Sequence, residues 1–404
     1  MSRENTQWYN SVQELILNKK RVDKKFNWVV GSYLLVSPFV AIFGLYYWLS
    51  AGKFNWNTMI LLLAFMTAAQ VSITAGYHRL FAHRAYQAKW PVRLFFLIFG
   101  ASAFEGSALL WSLDHRIHHN YVDDKDKDPY AITRGFFWAH MGWLLYKQDD
   151  QIEDAKNAGD LVNDPLVMWQ YQCWIPLGIF MGFVLPGLIA WSWGDMFGGI
   201  FIAGFVRSVI NHHATFLINS LSHCVGQQTY SDTHSARDNL FTAFLTFGEG
   251  YHNYHHEFAS DYRNGPRWYD WDPSKWIIKA LSYVGLTYNL KTIREEIIVR
   301  KRMQMKEKRM RKKLEISNFN FFGSQDFTVL EQLKENMEKA FKDLSRLRDQ
   351  YQNLTKSLKI HEKGFNMLEA NLLQDQINEA QAKFFDYVSQ WNLMRKRVLA
   401  YAGA

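Results

Sequence analysis

Fourteen histidines occur in this 404-residue chain, and eight of them fall in three tight groups. These are His78-Arg-Leu-Phe-Ala-His83, His115-Arg-Ile-His118-His119 and His252-Asn-Tyr-His255-His256. On a helix, positions i, i+3 and i+4 share a face, so each of the last two groups can aim three imidazoles at one point. His78 and His83 stand five apart, which on a regular helix turns them about 140° away from each other. That pair therefore requires a helix end or an altered twist between its members. A lone HxxHH is as often a set of satisfied polar side chains as a ligand set. Three groups expected on one membrane face are a different matter. Eight neutral imidazoles exceed the ligand count of a single ion, so the groups predict a two-metal centre. Iron, zinc, copper and nickel all suit imidazole-rich sites, and the residues alone do not choose among them. Zinc has no redox chemistry, whereas a two-iron centre in a membrane would suit attack on an unactivated lipid C–H bond.

The elements that must position these groups are apolar. The composition is 48% hydrophobic and 21% charged, with a mean hydropathy of −0.24, values that on average describe a soluble protein. The charges are unevenly spread, however. No Asp, Glu, Lys or Arg occurs from Phe26 to Gly52, from Phe54 to Tyr77 or from Pro165 to Gly194. Each run exceeds the ~20 residues needed to cross a bilayer, which excludes a soluble globular protein. The runs predict one hairpin with spans near 28–49 and 56–76, and a second with spans near 172–193 and 196–218. Basic residues before the first span (Arg3, Lys19, Lys20, Arg21, Lys24 and Lys25) put the N-terminus in the cytoplasm. The segment from Leu94 to Leu113 is apolar but carries Glu105. It is expected to lie flat or dip into the membrane, because only then do the first two histidine groups share a face. The N-terminus shows no compact apolar core followed by small residues, so no cleaved signal peptide is expected.

The net charge of +8 is concentrated in one place. Lys301 to Lys313 holds eight basic residues and one acid, which leaves the rest nearly neutral. This argues against nucleic-acid binding and for contact with anionic lipid, an acidic partner or solvent. Beyond it, Leu330, Leu333, Met337, Ala340, Leu344, Leu347, Tyr351, Leu354 and Leu358 follow 3-4 spacing. Ile377, Ala380, Phe384, Tyr387, Trp391, Met394, Val398 and Tyr401 repeat it, and His361 falls on the same seam as a packing residue. Such seams predict a coiled coil, used for self-association or docking, or else a helical pair packed on its own body. The expected fold is thus mostly α: an integral membrane protein with four transmembrane helices in two hairpins, a cytosolic helical cap holding a dimetal centre, and a C-terminal coiled-coil tail. The expected divisions are a cytosolic segment 1–27, a membrane domain 28–300, a basic hinge 301–313 and the tail 314–404.

The three boxes, in this order after such spans, resemble the membrane fatty acyl desaturases, specifically the acyl-CoA delta-9 (stearoyl-CoA) type. The stretches TRGFFWAHMGWLL (133–145), FLINSLSH (216–223), GEGYHNYHHEFASDYRNG (248–265) and GLTYNL (285–290) are similar to that family too, particularly to its bacterial members. The resemblance covers roughly residues 28–300. It implies a ninth ligand, His223, and a water-mediated one, Asn219. It further implies one iron held by His78, His83, His119 and His256 with that water, and a second held by His115, His118, His223, His252 and His255.

The implied reaction uses dioxygen and two electrons to set a cis double bond into a saturated acyl chain. Trp111 matches a residue lining the substrate tunnel, and Asp114 one near its head-group end. Leu113 stands where the animal enzymes carry an Arg that holds the CoA phosphates, so acyl-CoA, another acyl thioester or an intact lipid stay open as substrates. The loop Asp123-Asp-Lys-Asp-Lys-Asp128 is expected to be a solvated surface. His212 and His213, with Arg207 in the fourth span, are expected to face the interior, where such groups more often pack as satisfied polar residues than serve as tunnel or metal-supporting residues. No His-Pro-Gly-Gly signature follows residue 300, so electrons are expected from a separate cytochrome b5-like or ferredoxin-like donor. The expected location is a bacterial inner membrane with the catalytic face and both termini cytoplasmic. A hydroxylase on the same centre, and a membrane scaffold with a structural metal such as zinc, are the alternative readings.

Overall fold

The computed structural model of the chain describes residues 25–146, 158–316, 325–360 and 367–401. All but Lys25 of the basic residues preceding the first span, and the seam residue His361, lie outside the described residues. The chain divides into two compact units, Met1–Thr292 and Ile293–Ala404.

The first unit is mostly helical. Among the described residues, three helices are long and apolar enough to cross a bilayer: α1 (Trp28–Ser50), α2 (Trp56–Ala82) and, later in the chain, Pro165–Trp191. The Asn27 side chain caps α1 by accepting from the amide of Val30. Its 23 residues reach roughly 34 Å, enough for the hydrocarbon core. Gly31, Leu34, Ser37, Ala41, Gly44 and Trp48 form its buried stripe, mostly small residues of the kind that let membrane helices approach closely. A Cβ on Gly44 would come within 2.7 Å of the Phe201 ring, so only glycine permits that approach. The other faces of α1 expose Phe39, Ile42, Phe43 and Tyr46, surface that lipid suits and water does not.

The last part of α2, Ser72–Ala82, is wound as a π-helix. There the amide of His83 donates to the carbonyl of His78 at 3.0 Å, a bond that spans five residues. With i→i+5 winding, residues five apart come back to the same side, and this supplies the altered twist that the first histidine pair requires.

The segment carrying Glu105 is not one continuous helix. Helix α3 (Trp90–Ala101) is 12 residues long, roughly 18 Å, and the chain then turns at Phe104 (φ 57°) and Gly106 (φ 100°). Helix α4 (Ala108–Tyr121) starts afresh under a Ser107 cap. The turn is held from 196–224, which is helical throughout. Arg207 Nη2 donates to Ser102 O at 2.9 Å, and His212 Nε2 lies 2.7 Å from Ala103 O. These side chains satisfy carbonyls that the end of α3 leaves open.

Helix α5 is Pro165–Trp191, α6 is Arg207–Cys224, and the short α7 is His252–Glu257. Asp195, between α5 and α6, is buried and accepts from Trp48 Nε1 (2.9 Å), Thr58 Oγ1 (2.6 Å) and the Gly198 amide (2.9 Å), fastening the tips of the two hairpins together. The stretch 196–224 carries Arg207, Asn211, His212 and His213, and it is not among the three helices that meet both the length and the apolarity of a span. A two-stranded antiparallel pair, Gln87–Ala88 with Thr287–Tyr288, ties the chain after α2 to the end of the unit.

In the second unit the expected basic hinge is corrected. Residues 301–313 lie inside one continuous helix, α8 (Glu295–Ile316). The run looked like a hinge on charge alone. Its Met303, Met310 and Leu314 fall on one side and enter a core with Leu330 and Met337 of α9 (Gln325–Ile360) and Phe384, Trp391 and Val398 of α10 (Met367–Tyr401). The unit boundary therefore precedes the basic run, because that run's apolar residues pack with α9 and α10. Buried Leu330, Met337 and Leu344, and likewise Ile377, Phe384, Trp391 and Val398, recur every seven residues, and α9 and α10 pack together. Arg300 and Arg311 pair with Glu338 and Glu331 on α9.

Candidate metal centre

Nine imidazoles converge in two sets. His78, His83, His115, His119 and His255 form the first, and His118, His223, His252 and His256 the second; within each, the candidate ligand atoms lie within 4.8 Å of one another. In the first set, Nε2 atoms face each other between His78 and His255 (3.0 Å), His83 and His115 (2.8 Å), and His119 and His255 (2.9 Å). In the second, they do so between His223 and His252 (3.0 Å), His252 and His256 (3.1 Å), and His118 and His256 (3.3 Å).

The division differs from the one the family resemblance implied. His115 and His255 belong with His78, while His256 belongs with His118. Helix geometry explains it. His115 and His119 on α4, and His252 and His256 on α7, are i,i+4 pairs and stay together; the i+3 members, His118 and His255, turn to the other set. Asn219 is half-buried one turn before His223 on α6.

Four of the outward nitrogens have acceptors. His78 Nδ1 is 2.6 Å from Glu249 Oε2, His118 Nδ1 is 2.9 Å from Asp128 Oδ1, His223 Nδ1 is 2.6 Å from Ser235 Oγ, and His115 Nδ1 is 3.2 Å from the Tyr130 hydroxyl. A proton held at Nδ1 by these partners leaves the Nε2 lone pair pointing inward, the tautomer a metal needs. Burial, reinforced by neighbouring imidazoles, holds His115, His119, His252, His255 and His256 well below the ordinary histidine pKa, so they stay neutral.

Inward lone pairs facing one another at 2.8–3.3 Å repel, and a cation between them removes the conflict. With metal–nitrogen bonds of about 2.1 Å, neighbouring ligand atoms of a coordination shell stand roughly 3.0–3.4 Å apart. The residues present thus fit two metal ions, and the all-imidazole donor set matches transition metals rather than calcium or magnesium.

Glu249 anchors this shell. Burial alone would raise its pKa, but His78 and Arg79 draw it below the ordinary value. Arg79 also reaches Asp272, in a pair that is almost fully buried. The spacing of the histidine boxes says nothing of Glu249; its signal is a lone acid three residues before His252. The expected solvated character of the 123–128 loop is overturned at both ends. Asp128 is buried against His118, and Asp123 accepts from the amide of Ser235 at 2.7 Å. The sequence treats all four acids alike, and only tertiary contact separates these two from Asp124 and Asp126.

Trp111, expected as a tunnel wall, touches the first imidazole set. Its ring stacks on His115 with centroids 5.0 Å apart, and its Nε1 donates to Glu105 Oε2 at 3.2 Å. Glu105 also accepts from Thr215 Oγ1 at 2.8 Å, and burial pushes its pKa up to about 7. Asp114 is half-buried near Tyr130, and Leu113 packs on the apolar core. His212 and His213 join neither set: His212 holds Ala103, and His213 pairs with His140 at 3.0 Å.

Comparison with known proteins gives a consistent answer. The sequence model described as fatty acid desaturase matches residues 54–290, more than half of the chain. A probable acyl-CoA desaturase of Schizosaccharomyces pombe is 44% identical over 286 residues, covering 70% of this chain and 59% of that protein. Acyl-CoA desaturase 1 of Saccharomyces cerevisiae is 43% identical over 271 residues, covering 66% and 53%. The chain thus spans under two thirds of the length of these two yeast relatives. Delta(9)-fatty-acid desaturase fat-6 of Caenorhabditis elegans is 35% identical over 298 residues, covering 72% and 87%.

Proposed function

Since this chain belongs to the fatty acid desaturase family, we propose that it is an oxygen-dependent acyl desaturase that introduces a cis double bond, at delta-9, into a saturated chain. The observation that carries this reading is the pair of imidazole sets, in a unit that also holds three apolar, membrane-length helices, one of which ends in His78 and the turn to His83. We assign two iron ions to those sets, because the reaction is redox and its bonds are unactivated. When bound, the iron pair would supply the activation of dioxygen that C–H cleavage requires.

The electron balance sets the partners. Reducing dioxygen to two waters takes four electrons, of which the two C–H bonds of the substrate supply two. The other two come from a separate donor, and a cytochrome b5-like or ferredoxin-like carrier fits. An acyl-CoA is the proposed substrate, in keeping with the names of the yeast relatives, and a carrier-protein thioester or membrane lipid is the alternative. Leu113 offers no charge to a phosphate, so the head group must find its contacts elsewhere, with Asp114 at that end of the site.

Each of the chain's own residues takes a role. His78, His83, His115, His118, His119, His223, His252, His255 and His256 hold the ions, with Asn219 acting through a water. Glu249, Asp128, Tyr130 and Ser235 keep the Nδ1 protons outward. Trp111, over His115, walls off water and fixes the acyl chain, since the methylenes are chemically alike and only position can choose between them.

In the membrane we propose four spans, counting the stretch 196–224, whose Arg207 and His212 are spent on Ser102 and Ala103 rather than on lipid. The histidine sets and both termini would face the cytoplasm of a bacterial inner membrane, and the helices of 314–404 would serve self-association. The test is expression of the wild type and a His255→Ala variant in a desaturase-deficient host, with double-bond localisation by mass spectrometry. Monounsaturated chains from the wild type alone are expected. Saturated profiles from both sink the reading, and hydroxylated products favour a hydroxylase.

A further inference from the structure

A tenth histidine stands at the second imidazole set. His234 lies in the loop between α6 and α7, is only 9% exposed, and has its ring centroid 5.1 Å from that of His256. Both of its ring nitrogens are buried, and neither finds a hydrogen-bond partner among the described residues. An orphaned buried polar group costs roughly 1–3 kcal/mol, so two on one ring require an explanation.

The backbone that carries the ring is held on both sides. Gln228 Nε2 donates to the carbonyl of His234 at 2.7 Å, and the amide of the next residue, Ser235, donates to Asp123 Oδ2 at 2.7 Å. Ser235 in turn meets His223 Nδ1, so the loop that carries His234 is fastened to a member of the same set. The two sets are also unequal, with five imidazoles in the first and four in the second.

We propose that His234 is a metal-site residue, the fifth imidazole of the second set, acting on the second ion or on a solvent molecule bound to it. One orphaned nitrogen, the one carrying the lone pair, then has its partner, and the two sets become equal in donor number. This rests on the reading that the nine imidazoles hold two ions. Nothing in the HxxHH-type spacing signals it, because His234 comes from a loop between boxes.

The experiment uses full-length protein loaded anaerobically with ferrous iron, in the wild type and in His234→Ala and His234→Gln variants. The Gln variant, closer in volume, guards against a misfolded Ala variant. Metal content, release to a chelator and Mössbauer spectra are measured. The wild type is expected to hold two ions per chain. Both variants should release one ion about tenfold faster, with one iron signal altered and the other unchanged. Variants that keep both ions at wild-type rates with unchanged spectra overturn the inference and leave the two-ion reading intact. So does equal loosening of both ions, which a packing role would give. A wild type that takes up fewer than two ions overturns both.

Discussion

Glu249 Oε2 lies 2.6 Å from His78 Nδ1, while Oε1 of the same carboxylate accepts from Arg79 Nε and Nη2 at 3.1 and 2.8 Å. One buried acid thereby orients a metal ligand and neutralises a buried guanidinium. Glu249→Gln preserves the shape and removes the charge. The amide has one acceptor oxygen in place of two, so an NH2 group must face either His78 Nδ1 or Arg79, and Arg79 would keep only Asp272 as a carboxylate partner. Metal affinity at the first set should fall roughly 10–100-fold, as for other partners of this kind. Chelator competition measures it, and an unchanged affinity would refute the role.

Asp128 does the same for His118, at the second set. Asp128→Asn replaces one carboxylate oxygen with a donor and can set His118 in the wrong tautomer. We expect a loss of about 10–100-fold in affinity for the second ion alone. Iron counted during stepwise chelation should fall from two to one earlier than in the wild type.

Glu105 predicts a pH dependence of stability. Its folded pKa of about 7 lies above the carboxyl value of 4.5, so the folded state holds a proton that the unfolded state gives up. The stabilisation is complete below about pH 4.5 and is lost as the pH rises towards 7, by roughly 3 kcal/mol. Unfolding in detergent at stepped pH should show that decline, and Glu105→Gln should flatten it. A variant with the same slope as the wild type would assign the dependence elsewhere.

His212 separates structural support from ligation. Its Nε2 contact with Ala103 O holds the turn after α3, and it belongs to neither imidazole set. His212→Leu leaves that carbonyl open at a cost of about 1–3 kcal/mol. The melting temperature should drop while iron content stays at two per chain. Loss of an ion instead would make His212 part of the metal site.

Much of this was legible locally. The charge-free runs mark α1, α2 and α5, and the HxxHH periodicity marks helical faces, because both depend on residues within a few turns of each other. The five-residue gap of His78 and His83 foretold an irregular helix, and the π-winding of Ser72–Ala82 supplies it. The basic run at 301–313 misled as a hinge because charge is visible in sequence and the burial of Met303 and Met310 is not.

The sequence by itself marked the three apolar, membrane-length helices and eight of the nine imidazoles, since bilayer length and helical repeat are properties of contiguous residues, while His223 came from the family resemblance. Only the tertiary structure decided how the nine imidazoles divide into two sets, which of the 123–128 acids are buried, and that Glu249, Tyr130 and Ser235 meet ring nitrogens. Those pairings join residues 12 to 171 positions apart in the chain, such as His223 with Ser235 and His78 with Glu249. They form when packed helices bring the groups together, and no local spacing encodes them.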